Sequence, residues 1–260
     1  MRNYFASVIC ALGFVVPAGL SAETATNMSA VNNTNCFTIV AFGDSTTAPR
    51  GKLMVYAQIL QNSLRSQSES IRVINAGIGG NTTAMGRVRF KKDVLAKSPD
   101  IVIIGFGIND SAIDVWKTPP VTKPRIAQSK YENNLRYFAQ TLKTNKVQVI
   151  LMTPNTLRWT PNLKKLYGKP PYNPDDPDGF NLLLRDYAES VREIAREENV
   201  QLVDVFAEFV KFGKQSGKSI DDLLLDGMHP NVHGHKIVAD LLVKTIIAAN
   251  PDIMFNPDTR

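Results

Sequence analysis

Short apolar runs alternate with amphipathic segments along most of the chain. The pattern predicts five strands, at residues 37–42, 71–76, 101–105, 147–152 and 200–205. Residues 101–105 (IVIIG) are apolar at nearly every position, as expected for a strand covered on both faces of a parallel sheet. Helical spacing of apolar residues predicts helices near 52–65, 84–96, 131–142, 182–194 and 237–246. This alternation predicts an α/β fold with helices on both faces of one sheet.

Two long segments follow predicted strands and are expected to be loops. They cover residues 111–129, with Trp116, and residues 154–179, with Trp159 and six prolines. Because both leave the carboxyl edge of the sheet, where open α/β folds bind ligands, the two tryptophans are candidates for stacking on a sugar ring. The alternative is ordinary packing of a loop, since tryptophan is usually buried.

The N-terminal residues have the layout of an export signal. A single positive charge at Arg2 precedes an apolar run over residues 5–16, and small residues follow up to Ala22. This pattern predicts a signal peptide at 1–22, a disordered linker at 23–35, one domain at 36–250 and a C-terminal tail at 251–260. The expected location is secreted or periplasmic, without stable membrane insertion after cleavage; a retained N-terminal anchor is the alternative. The mature chain keeps only Cys36, expected to be a small buried side chain.

The amino-acid composition excludes several classes of protein. The chain has 260 residues, with 30 Lys and Arg against 24 Asp and Glu, and 43% hydrophobic residues. These values exclude collagen-like, coiled-coil and broadly disordered proteins. The basic residues are spread along the chain and not grouped in runs, so we expect no nucleic-acid partner.

Four short segments at strand or loop boundaries carry the candidate chemistry. They are residues 43–46 (GDST), 77–82 (GIGGNT), 107–110 (GIND) and 226–230 (DGMHP). Brought to one edge of a sheet, they supply an acyl-transfer site. Ser45 is predicted to be the nucleophile, His229 the general base and Asp226 the residue that orients the imidazole.

Acyl transfer also needs donors for the developing oxyanion. The backbone N–H groups of Ser45 and Gly80 and the side-chain amide of Asn109 are the candidates. Each segment taken alone has a simpler explanation. Ser45 would cap a helix, the glycines would form a tight turn, Asn109 would hydrogen-bond to the backbone of its loop, and Asp226 and His229 would be a surface pair. The occurrence of all four in this order favours catalysis.

On these four segments the chain resembles the SGNH, or GDSL, hydrolase family. The matching positions run from residue 43 to residue 235. The resemblance implies a flavodoxin-like three-layer α/β/α sandwich, with a five-stranded parallel sheet in the order 2-1-3-4-5. It also implies a Ser45–His229–Asp226 triad and neither a metal nor another cofactor. Thr46 stands where many members of the family have leucine. This departure is shared by secreted carbohydrate acetylesterases such as rhamnogalacturonan acetylesterases.

The histidines near residue 229 raise the question of a metal site. His229 and His233 are four residues apart, the spacing that places two ligands on one helical face. Pro230 and Gly234 are expected to interrupt such a helix, and too few histidines remain to complete a site. His233 and His235 are instead predicted to be loop or helix-capping residues near the site.

The remaining predictions concern the substrate. Five residues are predicted to contact it, namely Asp44, Thr46, Asn81, Trp116 and Trp159. The loop at 154–179 is rich in Pro, Asp and Lys, which favours a polar, sugar-like alcohol over a long acyl chain. We therefore predict a secreted serine esterase that removes small acyl groups, most simply acetyl, from a carbohydrate, with a small-molecule or polysaccharide ester as its substrate. The alternatives are a lipase, lysophospholipase or thioesterase, an acyltransferase, and a carbohydrate-binding protein without turnover.

Overall fold

The computed structural model describes residues 36–66 and 70–251. Five strands form one all-parallel sheet in the order β2-β1-β3-β4-β5. They are β1 (Phe37–Gly43), β2 (Ile71–Gly77), β3 (Ile101–Gly105), β4 (Gln148–Met152) and β5 (Gln201–Val203). The predicted α/β fold, the parallel sheet and its strand order are confirmed. β1 lies between β2 and β3, so its carboxyl end is the point where the strand order reverses, which is where such folds bind ligands.

Eight α-helices occur within the described residues. They are α1 (Tyr56–Arg65), α2 (Thr83–Asp93), α3 (Ile108–Ser111), α4 (Gln128–Thr144), α5 (Pro161–Tyr167), α6 (Leu182–Glu197), α7 (Val205–Gly213) and α8 (Val232–Ala249). Alternate residues of each strand point to opposite faces of the sheet. Ile39 and Ile103 pack with residues of α1, α7 and α8, whereas Val40 and Ile104 pack with residues of α2, α4 and α6. The result is the predicted three-layer sandwich.

Several element boundaries differ from the prediction. The strand predicted at 200–205 is only three residues long, because Asp204 leaves the sheet and its side chain caps α7 by accepting the N–H of Ala207. The predicted loop at 154–179 contains α5, which Thr160 caps through the N–H of Leu163. α1 begins at Tyr56 and not near residue 52, since the backbone there forms a bridge between Arg50 and Leu53.

The start of α8 corrects two expectations about residues 229–235. Asn231 caps this helix by accepting the N–H groups of His233 and Gly234. His233 and His235, predicted to be loop or helix-capping residues, lie within the first helical turn. Gly234 does not interrupt the helix; it allows a close approach, because a Cβ there would lie 2.4 Å from the carbonyl oxygen of Leu223. His229 precedes the helix and does not share a face with His233.

His235 joins α8 to α1. Its side chain is buried, with 2% of the residue exposed, and Nδ1 accepts the backbone N–H of Tyr56 at 3.2 Å. Burial, and secondarily the positive charge of Arg50, lowers the pKa of His235 to about 4. The imidazole is therefore neutral in the folded protein at neutral pH.

We expect His235 to make stability depend on pH. Between about pH 6.5 and pH 4 the unfolded chain binds this proton and the folded chain does not, so the free energy of unfolding falls as pH falls. A pKa difference of this size corresponds to about 3 kcal/mol. In His235→Asn, which keeps an acceptor for Tyr56, urea titrations should show a weaker loss over this range. His233→Asn, at an exposed site in the same turn, should behave like the parent; an unchanged dependence in both variants contradicts the assignment.

The ends of the chain bear on the predicted export signal. The predicted signal peptide, the linker and all but the first residue of the predicted tail lie outside the described residues. Throughout 36–66 and 70–251, no helix has the length and apolar character needed to cross a bilayer. Cys36 is exposed, contrary to the expectation that it is buried, because it precedes β1 and burial begins at Thr38.

Candidate active site

Ser45 lies in the turn that follows β1. The carboxylate of Asp44 accepts both the N–H and the hydroxyl of Thr46, each at 2.9 Å, and thereby holds this turn. Asp44 is only 1% exposed, and burial raises the pKa of its carboxyl. Asp44 thus organises the turn around Ser45, and its predicted substrate contact stays a prediction. Thr46 stays half-buried beside it.

The structure brings Ser45, His229 and Asp226 together. Nε2 of His229 lies 2.9 Å from Oγ of Ser45, and Nδ1 of the same ring lies 2.8 Å from Oδ2 of Asp226. Asp226 also builds the turn that carries the histidine, because its Oδ1 accepts the N–H groups of Met228 and His229. Residues separated by 184 positions in the chain therefore form one continuous line of hydrogen bonds.

The charge of Asp226 fixes the direction of these hydrogen bonds. Partial burial acts to raise its pKa, but the hydrogen bonds from the backbone and ring of His229 outweigh burial and leave the pKa below its usual value. An ionised Asp226 accepts a proton-bearing Nδ1, so Nε2 is left with a lone pair for the Ser45 hydroxyl. This arrangement activates a serine oxygen for attack on a carbonyl carbon.

The glycine turn after β2 and the start of α3 lie beside Ser45. A Cβ at Gly79 would be 3.9 Å from Cβ of Ser45, which places this turn against the serine. Gly80 has a φ of +75°, a conformation that glycine adopts without strain. The Asn109 side chain reaches the same turn, donating from Nδ2 to the carbonyl oxygen of Asn81 at 3.2 Å. The three segments that hold the expected oxyanion donors are thus neighbours.

Arg89 ties this region together, and sequence reasoning missed it. Its guanidinium donates to the carbonyl oxygens of Gly43 and Ala76, at the ends of β1 and β2, and to Oδ1 of Asn81. The side chain of Asn81 is therefore engaged with Arg89, and its predicted substrate contact stays a prediction. Arg89 lies in a segment that the sequence predicts only as a basic helix. The spacing of its residues therefore did not indicate this role.

The two tryptophans differ in environment. Trp159 stacks on Phe180 with ring centroids 4.5 Å apart, and its Nε1 donates to the carbonyl oxygens of Asn173 and Asp176. These contacts are the loop packing that was the alternative for this residue. Trp116 is 45% exposed, with the ammonium of Lys117 5.5 Å from its ring centroid. Contact of either ring with a substrate stays a prediction.

Two further side chains hold the site from outside the four segments. Nδ2 of Asn155 donates to the carbonyl oxygen of Met228 at 2.9 Å and so supports the turn that carries His229. Nη1 of Arg125 donates to Oδ1 of Asn109 at 3.0 Å. Both residues lie in long loops, where no periodicity marks a partner, so the sequence could not have singled them out.

A largely apolar cavity adjoins the site. Its wall includes Asn109 and Met228, the neighbour of His229, and the rest is mostly aromatic and leucine side chains, among them Tyr167, Tyr172, Phe180 and Leu183. This cavity offers room for an apolar part of a substrate next to the candidate oxyanion donors. Among the described residues, no group of three or more His, Cys, Asp or Glu is placed to hold a metal ion.

Comparisons with known proteins agree with this geometry. A profile of the GDSL-like lipase/acylhydrolase family matches residues 41–237. The uncharacterized lipoprotein YqeF of Bacillus subtilis (strain 168) is 31% identical over 216 residues, 77% of this chain and 85% of the relative. An acetylxylan esterase of Geobacillus stearothermophilus is 32% identical over 179 residues, 68% of this chain and 72% of the relative.

Solved structures give the same result. A catalytic mutant of Axe2, an acetylxylan esterase from Geobacillus stearothermophilus, superposes with a TM-score of 0.65 at 27% identity, covering 80% of this chain and 93% of that one. The lipase/acylhydrolase from Enterococcus faecalis superposes with a TM-score of 0.62 at 26% identity, covering 82% and 96%. The resemblance noted from the four segments is confirmed: the chain belongs to the GDSL-like lipase/acylhydrolase family and is a carboxylic ester hydrolase.

Proposed function

We propose that the chain is a serine esterase that removes acetyl groups from a carbohydrate through an acyl-enzyme. The observation that carries the proposal is the line of hydrogen bonds from Ser45 through His229 to Asp226, with distances of 2.9 and 2.8 Å. The acetylxylan esterases among its relatives support acetyl as the acyl group and a sugar as the alcohol.

The first half of the reaction transfers the acyl group to Ser45. Oγ of Ser45 attacks the ester carbonyl carbon while Nε2 of His229 takes the hydroxyl proton. The carbonyl oxygen becomes an oxyanion, for which the N–H groups of Ser45 and Gly80 and the Asn109 amide are the proposed donors. The tetrahedral intermediate collapses, the bond to the sugar oxygen breaks, and His229 returns the proton to that oxygen.

The second half hydrolyses the acyl-enzyme. His229 takes a proton from water as the water oxygen attacks the acyl carbon, and the same donors receive the second oxyanion. Collapse of this intermediate breaks the bond to Ser45, and His229 protonates Oγ. Acetate leaves and the enzyme regains its starting state. Ionised Asp226 stabilises the imidazolium in both halves.

Export through a signal peptide at residues 1–22 is part of the proposal. The apolar run after Arg2 supports it, and so does the fact that the relative in Bacillus subtilis is a lipoprotein. A polymeric acetylated sugar outside the cytoplasm fits this location.

The cavity beside Asn109 and Met228 favours a second candidate function. Its aromatic and leucine walls suit a longer or aromatic acyl group as well as the apolar face of a sugar ring. An esterase, lipase or thioesterase for longer acyl chains would use this cavity to hold the acyl group.

The test compares acyl chain length with the nature of the alcohol. The purified enzyme and Ser45→Ala are assayed on p-nitrophenyl esters from acetate to decanoate and on acetylated xylo-oligosaccharides. We expect a Ser45-dependent rate that is highest for acetate and falls steeply with chain length, together with release of acetate from the oligosaccharides.

The other outcomes are informative as well. A maximum at longer chains replaces the proposed substrate with that of the second candidate. A Ser45-dependent rate on p-nitrophenyl acetate without release of acetate from any acetylated sugar removes the carbohydrate from the proposal. If the acyl group is transferred to an added alcohol in preference to water, the enzyme is an acyltransferase. If the parent hydrolyses no ester faster than Ser45→Ala but still binds sugar, the chain is a carbohydrate-binding protein without turnover.

A further inference from the structure

The Asn109 amide has a charged partner that the four segments do not contain. We propose that Arg125 is a positioning residue, which orients and polarises the Asn109 side chain as a donor to the oxyanion. This inference rests on the proposed function, because it takes Asn109 to be one of the oxyanion donors.

The hydrogen bonds of Asn109 define the orientation of its amide. A guanidinium only donates hydrogen bonds, so the atom 3.0 Å from Nη1 of Arg125 is the amide oxygen. The amide nitrogen consequently faces the glycine turn, where it donates to the carbonyl oxygen of Asn81 at 3.2 Å. An amide nitrogen carries two N–H groups, so one can hold the turn while the other serves the oxyanion. Arg125 thus holds the oxygen end of the amide, while the Asn81 carbonyl oxygen and the buried Asp44 side chain interact with its nitrogen end.

Arg125 is itself held by a buried carboxylate. Nε and Nη2 donate to Oδ1 of Asp114 at 3.1 and 2.7 Å, and the Asp114 side chain is only 7% exposed. The ammonium of Lys117 lies 2.9 Å from the other oxygen of Asp114. The neighbouring backbone is anchored as well, since the N–H of Arg125 donates to the carbonyl oxygen of Ala112. The guanidinium therefore has a fixed position against Asn109.

The hydrogen bond from Arg125 makes the Asn109 amide a stronger hydrogen-bond donor. A charge-assisted hydrogen bond to the amide oxygen draws electron density from the nitrogen, which makes its N–H groups stronger donors. The gain is largest when negative charge develops on the substrate oxygen, because the positive charge of Arg125 then stabilises that oxyanion through the amide. Stabilisation confined to the transition state changes kcat and leaves KM nearly unchanged.

The contact predicts a specific kinetic pattern for Arg125→Met, which keeps an aliphatic stem. With p-nitrophenyl acetate, kcat should fall about 10-fold to 100-fold, the loss of one hydrogen bond to a charged group, while KM changes less than about two-fold. Arg125→Lys keeps the charge beside Asp114 but lacks the planar fork, so its kcat should lie between those of Arg125→Met and the parent. Arg125→Lys also serves as the test if Arg125→Met does not fold.

A double-mutant cycle separates positioning from general stability. In the Asn109→Ala background there is no amide to orient, so Arg125→Met should cause almost no further loss of kcat. Arg136→Met is the control. It breaks an ion pair with Glu197, between α4 and α6, and should keep the parental kcat.

The possible failures are distinguishable. If Ser45→Ala and Asn109→Ala lose activity but Arg125→Met keeps the parental kcat, the Arg125 inference is wrong and the proposed function stands. Full additivity of Arg125→Met with Asn109→Ala, or a loss expressed only in KM, also overturns it. If Asn109→Ala hydrolyses the ester at the parental rate, Asn109 is no oxyanion donor and both the inference and that part of the proposed function fail.

Discussion

Ser45→Ala and His229→Ala are each expected to lower kcat for ester hydrolysis by about 10⁶, the size of loss seen when a triad serine or histidine is removed. The first substitution removes the attacking oxygen and the second removes the base 2.9 Å from it. Neither side chain is fully buried, and the turn around Ser45 is held by Asp44 and Thr46. The free energy of unfolding should therefore change by no more than about 0.5 kcal/mol.

The controls for this prediction are a double variant and a distant serine. Because Ser45 and His229 act as a unit, the double variant should be hardly slower than either single variant. Ser66→Ala, at an exposed site after α1, should keep the parental rate. Steady-state rates and urea titrations on the same preparations provide both readouts. A Ser45→Ala or His229→Ala enzyme that retains most of its activity would contradict the triad.

Asp226→Asn is expected to lower kcat by about 10³–10⁴, less than the loss of His229. The new amide oxygen can still accept the N–H groups of Met228 and His229, so the turn should survive. The amide nitrogen, however, presents a donor to Nδ1 of the imidazole. That contact favours the tautomer with the proton on Nε2, which can no longer accept the Ser45 proton.

The prediction for Asp226 is checked by comparing kcat in three variants. Asp240→Asn, which breaks only a surface ion pair with Lys236, should keep the parental kcat and controls for the loss of one negative charge. A loss for Asp226→Asn equal to that for His229→Ala would mean that Asp226 does more than orient the ring. A parental rate would remove Asp226 from the proposed triad.

The fold and the proximity of Ser45 to His229 could be predicted from the sequence. Apolar runs identified all five strands of the described residues, and strand–helix alternation indicated a parallel sheet. Parallel strands bring their carboxyl ends to one edge, so chemically active residues just beyond those ends could be expected to converge. The strand order came from the resemblance carried by the four segments, since periodicity alone does not order strands.

The missing parts depend on contacts that no local pattern encodes. Only Asp204 separates β5 from α7, so the apolar residues at 200–205 predict a longer strand than the structure has, and the capping role of Asp204 is visible only in the structure. Gly234 was expected to end a helix, but its lack of a side chain serves packing against Leu223. The roles of Arg89, Arg125 and Asn155 depend on partners far away in the chain, which only the folded structure brings near.

The most direct test of the central claim is covalent labelling with a fluorophosphonate. An activated serine oxygen attacks the phosphorus and displaces fluoride, so the label marks the nucleophile without requiring the natural substrate. Peptide mapping by mass spectrometry should find the label on Ser45 alone, with labelling absent from Ser45→Ala and greatly slowed in His229→Ala. A label on another residue, or labelling of Ser45→Ala at the parental rate, would contradict the account.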